Sequence, residues 1–422
     1  MKKIICVLLS LCLIILLAGC GENAEPSSSV DSSSTISDGE KKPFEGVKIS
    51  CMTYQDPELS RPPEQASQAA KEHGIDFEFI IHPQGEIAKE LAASIASGTQ
   101  PDICYVYYDF CSIYPLLQPL DSTALDLNEA FLDHSILEAS AINGKAYLAN
   151  GYGNPYSYIS LCFYNKELFE QADIPTPKEF YEKGEWTLDN FKFCAEKISA
   201  LGKEYTGAGV LCESTAAIVG NSYFSFKNGK IFTNIPDRYY KVISAFSEMK
   251  KRNVIKLDRG GFQEGKQGMA LSDSYGLFRT GYFQGMNFDA GVTLMPKLKA
   301  DDKHIISAPF GGWGIVKGAK NPEAAGLWLK SYLHPEIDST EIENEEFKDF
   351  YFGLLKDKQV DIEYFVDPKN LLFDQDLNKQ NSDEFISWND TETDNIEEHL
   401  KAQIELFNEL AIKANEQLTL DS

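Results

Sequence analysis

The chain contains no Cys-x-x-Cys and no His-x-x-x-His pair, so the short spacings that signal a zinc site are missing. It has no Gly-x-Ser-x-Gly elbow, no metal pair and no phosphate loop, which leaves the common hydrolase and nucleotide signatures without a candidate. After the first 18 residues no run is apolar enough to span a bilayer. Positive charge is scarce: 39 Lys and Arg face 64 Asp and Glu, a formal net charge of −25. Such a surface repels phosphate backbones and anionic head groups, which argues against a nucleic-acid partner. Asp374-Gln375-Asp376-Leu377-Asn378 begins like a calcium loop but lacks the glycine and the closing glutamate, so no metal is expected. Nothing in the chain calls for a cofactor.

The N-terminus reads as a targeting segment. Lys2 and Lys3 precede fifteen mostly apolar residues, Ile4 to Ala18, whose end overlaps the sequence Leu17-Ala18-Gly19-Cys20. The run is short for a spanning helix and charged at one end only. Leu-Ala-Gly-Cys resembles the bacterial lipoprotein cleavage box, which implies cleavage before Cys20 and lipid on its thiol; an ordinary signal peptide or an uncleaved anchor is the competing reading. Residues 21–43 are rich in serine and nearly empty of large apolar side chains, so they cannot offset the entropy of ordering and read as a tether. The remaining residues, from Phe44, exceed what one core usually serves, and two lobes are expected. Of the nine cysteines, Cys6 and Cys12 lie in the leader, and Cys51, Cys104, Cys162, Cys194 and Cys212 lie among apolar residues, as buried free thiols do. A Cys104–Cys111 bridge is open outside the cytoplasm.

The stretch from Glu86 to Asp109 organises the rest. Ile87, Leu91 and Ile95 recur every four residues along one helix face. Gly98 stands at a C-cap, Pro101 bars continuation, and Ile103 to Tyr107 has strand length and composition. Before it, Val47–Thr53 and Ile75–Ile81 read as strands, with a helix over Pro62–Glu72 between them. This alternation predicts a parallel sheet with helices on both faces. Ligands of such sheets gather beyond the strands' carboxyl ends, where this chain carries Tyr54 and Gln55, then Tyr107, Tyr108 and Asp109. Packing beneath a loop is the competing role for each tyrosine.

Four ordered blocks together are similar to the family 1 extracellular solute-binding proteins, the substrate-capturing subunits of ABC importers. The first is the helix, Ser97-Gly98 and Pro101-Asp102-Ile103. The second is Asn143-Gly144-Lys145, then Tyr164-Asn165-Lys166-Glu167-Leu168-Phe169, with prolines and Trp186-Thr187 opening a helix capped by Thr187. The third is Phe262-Gln263-Glu264-Gly265-Lys266-Gln267-Gly268-Met269, ending at Asp273 and Tyr275, where Tyr275 stands in place of the family's tryptophan. The fourth, and most specific, is Gly311-Gly312-Trp313 through Ala319-Lys320-Asn321-Pro322-Glu323-Ala324-Ala325.

The resemblance implies an α/β, two-lobe periplasmic-binding-protein-like fold, with a mainly parallel sheet in each lobe and a ligand cleft between. It implies lobe 1 over 44–150 plus 312–350 and lobe 2 over 151–311 plus 351–422. Glycines 151, 153, 311 and 312 suit the chain crossings. Tyr152 and Tyr156 would flank the cleft, Asp273 and Tyr275 would face it, and Trp313 would serve a ligand rather than the core. The apolar stripe Ile396, Leu400, Ile404, Phe407, Ala411 and Ala414 is expected to pack in the second lobe, and the acidic run Glu341–Asp349 to be a solvated helix face. The implied protein is no enzyme. It is a monomer held by lipid at the outer face of the cell membrane, capturing a carbohydrate and delivering it to importer permease subunits. A surface sensor or adhesin on the same scaffold, or a surface glycosidase, are the alternatives.

Overall fold

The structure, a computed structural model, describes residues 42–54, 63–83, 86–106, 113–151, 159–210, 214–220, 224–227, 230–233, 237–256, 260–274, 286–309, 311–334, 344–356, 362–367 and 396–420. The first part of the chain alternates strand and helix as its pattern predicts: β1 (Lys48–Thr53), α1 (Pro63–His73), β2 (Asp76–Ile81), α2 (Ile87–Ser97) and β3 (Ile103–Val106). α2 ends where the sequence says it must. Gly98 takes φ 70°, and its N–H and that of Thr99 reach back to the carbonyls of Ile95 and Ser94. β4 (Leu117–Gln118) and α3 (His134–Ala139) follow, the helix capped by Asp133, whose carboxylate accepts the N–H of Ser135 at 2.9 Å.

The chain then builds a second body: β5 (Ser160–Asn165), α4 (Lys166–Gln171), α5 (Pro177–Glu182), α6 (Leu188–Ser199), β6 (Thr206–Val210), α7 (Ser214–Val219), the hairpin β7 (Phe224–Lys227) and β8 (Lys230–Thr233), α8 (Asp237–Lys251), β9 (Ile255–Lys256), α9 (Gly260–Gln263), β10 (Gln267–Asp273), β11 (Ala290–Leu294) and β12 (His304–Pro309). Three of its helices start on side-chain caps. Asn165 and Thr187 cap α4 and α6, and Thr176 with Glu179 forms a reciprocal capping box on α5. β13 (Gly312–Val316), α10 (Pro322–Leu333), α11 (Glu345–Lys356), β14 (Ile362–Asp367) and α12 (Ile396–Leu420) complete the described chain. No described helix is long and apolar enough to cross a membrane.

Two five-stranded sheets carry these elements, in the orders β2-β1-β3-β13-β4 and β11-β5-β10-β6-β9. In the first, β1, β2 and β3 are parallel and β13 returns antiparallel beside β3. In the second, β6, β9 and β10 are parallel, with β5 running against β10 and β11. The central strands of each sheet are buried on both faces and read as near-continuous apolar runs, while the edge strand β2 exposes Asp76, Glu78 and Ile81. In the first lobe, Ile49, Cys51, Ile103, Trp313 and Ile315 face α10, while Met52, Cys104, Val106 and Val316 face α2. In the second, Cys162, Tyr164, Met269 and Leu271 meet α6 and α8, while Leu161, Phe163, Ala270 and Val292 meet α11. Cys51, Cys162 and Cys194 are buried thiols without a disulfide, and burial pushes the Cys194 thiol up to about 12.

The chain's last third departs from expectation. Phe347 of α11, expected with the first lobe, is fully buried beside Leu161 and Phe163 in the second. Glu346, within the expected solvated acidic run, is half-buried and takes Lys166 at 2.7 Å and Lys178 at 3.3 Å. Although burial alone would raise it, the two lysines hold its carboxyl below the usual glutamate range. Phe407 and Ala411 of α12, expected in the second lobe, pack in the first-lobe cluster with Met52, Leu91 and Val106. An amphipathic stripe states that a helix face is buried, not which neighbour buries it.

Candidate functional site

Parallel pairing sets the first edge. Met52 lies opposite Cys104, so two residues on, Tyr54 is level with Val106, the last residue of β3. Gly312 opens β13 opposite the same Val106. A Cβ at Gly312 would lie 2.8 Å from the Ala149 carbonyl oxygen, so glycine is required by close approach. Ala149 and Trp313 exchange backbone hydrogen bonds of 3.0 and 2.8 Å. The two chain crossings therefore leave the first lobe side by side, at the edge that carries Tyr54.

Tyr54 is half-buried, and its ring centroid lies 5.9 Å from that of Tyr105. Tyr105 lies 4.7 Å from Trp313, which in turn meets Tyr332 edge-on at 5.1 Å and Trp328 at 6.2 Å. Trp313 is 6 % exposed. Its expected place above core packing is corrected: alternation along β13 puts it on the face of Ile315, toward α10. It is the buried member of a series of ring contacts that runs through Tyr105 to Tyr54, both of them half-buried. Tyr105 was missed by sequence reading, although alternation along β3 puts it on the face of Ile103, toward Trp313.

The second edge lies at the carboxyl end of β10. Asp273 pairs with Ser160 at the start of β5 and is half-buried. Ser274 follows it, fully buried. Its N–H donates to the Ile159 carbonyl at 2.8 Å, and its Oγ accepts the Ile159 N–H at 3.1 Å. The residue that enters the second lobe is thus fastened beside Asp273. Gln55, Tyr107, Tyr108, Asp109, Tyr152, Tyr156 and Tyr275 lie outside the described residues, as does Cys20. Of the expected contacts, Tyr54 lies just beyond the carboxyl end of β1 and Asp273 at the carboxyl end of β10, both half-buried.

The Pro-Asp-Ile motif has a different task. Asp102 is buried at the opposite end of β3, accepting the Ser50 N–H at 3.2 Å and the Asn321 N–H at 3.1 Å. It ties β1 and the start of α10 to β3.

Residues 58–337 match the family described as bacterial extracellular solute-binding protein. The chain belongs to this family. No curated protein matches it in sequence. Among solved structures, an ABC substrate-binding protein from Listeria monocytogenes in complex with cycloalternan aligns with TM-score 0.60 at 17% identity, covering 86% of this chain and 98% of its own. The GacH receptor of Streptomyces glaucescens, solved unliganded and with acarbose, gives 0.59 at 18%, with coverage of 86% and 98%. The galacto-N-biose/lacto-N-biose I-binding protein of Bifidobacterium longum, with lacto-N-biose, gives 0.60 at 15%, with coverage of 90% and 99%. This solute-binding protein shares with them the two-lobe periplasmic-binding-protein-like fold.

Proposed function

We propose that this extracellular solute-binding protein captures a carbohydrate, mono- or oligosaccharide, between its lobes, and that closure of the lobes commits it for delivery to an ABC importer. The observation that carries the reading is the pairing of chemistries at the two edges: a supported aromatic ring, Tyr54 over Tyr105, on one lobe and the carboxylate of Asp273 on the other. A sugar offers C–H patches that lie on aromatic faces and a hydroxyl rim that needs acceptors and donors. Saccharides in three structural relatives support the same class. Tyr107, Tyr108, Asp109, Gln55, Tyr152, Tyr156 and Tyr275 complete the proposed contacts. Trp313 contributes by holding Tyr105 from below. A ligand shifts the lobes toward closure only by binding the closed arrangement more tightly than the open one.

A thermal-shift screen of purified 44–422 over a saccharide library tests this. One or more sugars should raise the midpoint, by mass action on the folded state, and mass analysis should recover that sugar unchanged. A library without a single stabilising saccharide would remove the carbohydrate reading, and a shortened product would replace capture by hydrolysis.

Lipid on Cys20 would hold the protein, as a monomer, at the outer face of the cell membrane, with 21–43 as spacer. Cys20→Ala should then release the protein to the medium with its unfolding midpoint unchanged. Equal incorporation of labelled fatty acid into the variant would refute lipidation at this thiol.

A further inference from the structure

The matched family segment stops at 337, yet the chain goes on through α11, β14 and α12. These elements touch both lobes and the crossing between them. β12 belongs to the second lobe, where Ile306 packs with Leu161 and Phe163, and it leads directly into the crossing at Gly312. β14 pairs with β12 in parallel over its whole length, from His304 opposite Ile362 to Pro309 opposite Asp367. On its way out of the second lobe, the crossing is therefore half of a two-stranded ribbon rather than a bare linker. α3 of the first lobe, whose Ile136 and Leu137 are buried in first-lobe clusters, lies against β14.

α12 repeats the arrangement. Phe407 and Ala411, one turn apart, sit in the first-lobe cluster with Met52, Leu91 and Ile136. The side chain of Asn415 grips β8, which follows the second-lobe helix α7 in the chain and whose Ile231 is buried in this same cluster. Its Oδ1 accepts the Ile231 N–H of β8 at 2.7 Å, and its Nδ2 donates to the Ile231 carbonyl at 2.8 Å. Asn408, about two turns toward the amino end from Asn415, bonds Thr233 of the same strand. α12 also lies against α8. α11, at the other end of the segment, is fixed to the second lobe by Phe347, Tyr351 and Leu354 and by the Glu346 ion pairs.

We propose that α11, β14 and α12 form a brace across the lobes, and that their contacts set the population of open and closed arrangements before any ligand binds. This rests on the reading of capture by lobe closure. Packed interfaces shift between discrete arrangements and do not deform continuously, so a rotation of the lobes must exchange contacts at β14 and α12. Those contacts stabilise the arrangement in which they are made. Weakening them favours the alternative, and the apparent affinity for ligand follows the fraction of competent molecules.

The test is a spin–spin distance distribution in the full chain without ligand. Labels on unnatural residues replace the exposed Lys89 of α2 and Lys241 of α8. Phe407→Ala and Asn415→Ala should each move the distribution away from that of the parent, Phe407→Ala by more. The dissociation constant for a saccharide found by screening should change about threefold or more in step with the shifted population. Distributions identical to the parent in folded variants would overturn the brace. If Phe407→Ala does not fold, Asn415→Ala decides alone. Because the distances are read without sugar, a protein that binds no saccharide would refute the carbohydrate reading and still report on the brace.

Discussion

Replacing Trp313 with alanine is expected to destabilise the protein by about 3–5 kcal/mol, the range for deleting a buried aromatic that leaves a cavity. The ring is 6 % exposed and wedged between Tyr105, Trp328 and Tyr332. These neighbours are fixed by β3 and α10, so the site has little freedom to collapse. Chemical denaturation without ligand measures the cost. A loss below about 1 kcal/mol, the range of surface substitutions, would mean that the ring is not part of the core. Trp313→Phe, which keeps an aromatic between Tyr105 and Tyr332, should recover a large part of the loss. Affinity should fall only as far as Tyr105 and Tyr54 lose their support.

Asp102→Ala is expected to cost about 1–3 kcal/mol, because it leaves two part-buried backbone N–H groups without their carboxylate acceptor. One belongs to Ser50 of β1 and the other to Asn321 at the start of α10. The ladder hydrogen bond from the Asp102 N–H to the Ser50 carbonyl, 3.0 Å, survives the substitution and limits the damage. Asp102→Asn keeps one acceptor oxygen and should cost roughly half as much by the same reasoning. Urea unfolding of the two variants, read at constant m-value, separates the outcomes. Equal stability of Asp102→Ala and the parent would show that the motif is not a structural tie.

Local signals were the legible ones. The fourfold spacing of Ile87, Leu91 and Ile95, the positive φ of Gly98, and the Thr187 cap all act within one turn of chain, and each appears where the sequence puts it. The order of strands and helices around Tyr54 was legible for the same reason, since β-α-β units have one favoured hand. The face of Trp313 was not. A glycine pair followed by a tryptophan marks a crossing, but odd or even register along β13 is decided by pairing with β3, two hundred residues earlier. The partner of α12 was illegible too: its stripe fits either lobe, and the choice is made by Asn415 and Phe407 against residues far away in sequence. The chain's final third was the hardest to read because its elements are assigned by tertiary contacts across both lobes.

Under the proposed function, the strand ends bearing Tyr54 and Asp273 hold one saccharide between them. Calorimetric titration of the parent, Tyr54→Ala and Asp273→Ala with the sugar that raises the midpoint most is the direct measurement. Half-buried residues at the rim should change stability little, within about 1 kcal/mol. Each variant should lose affinity by about tenfold or more, as expected when an aromatic platform or a charged acceptor of about 1.4 kcal/mol is removed. Parent-like affinity in both variants, with stability retained, would place the ligand elsewhere and contradict the account.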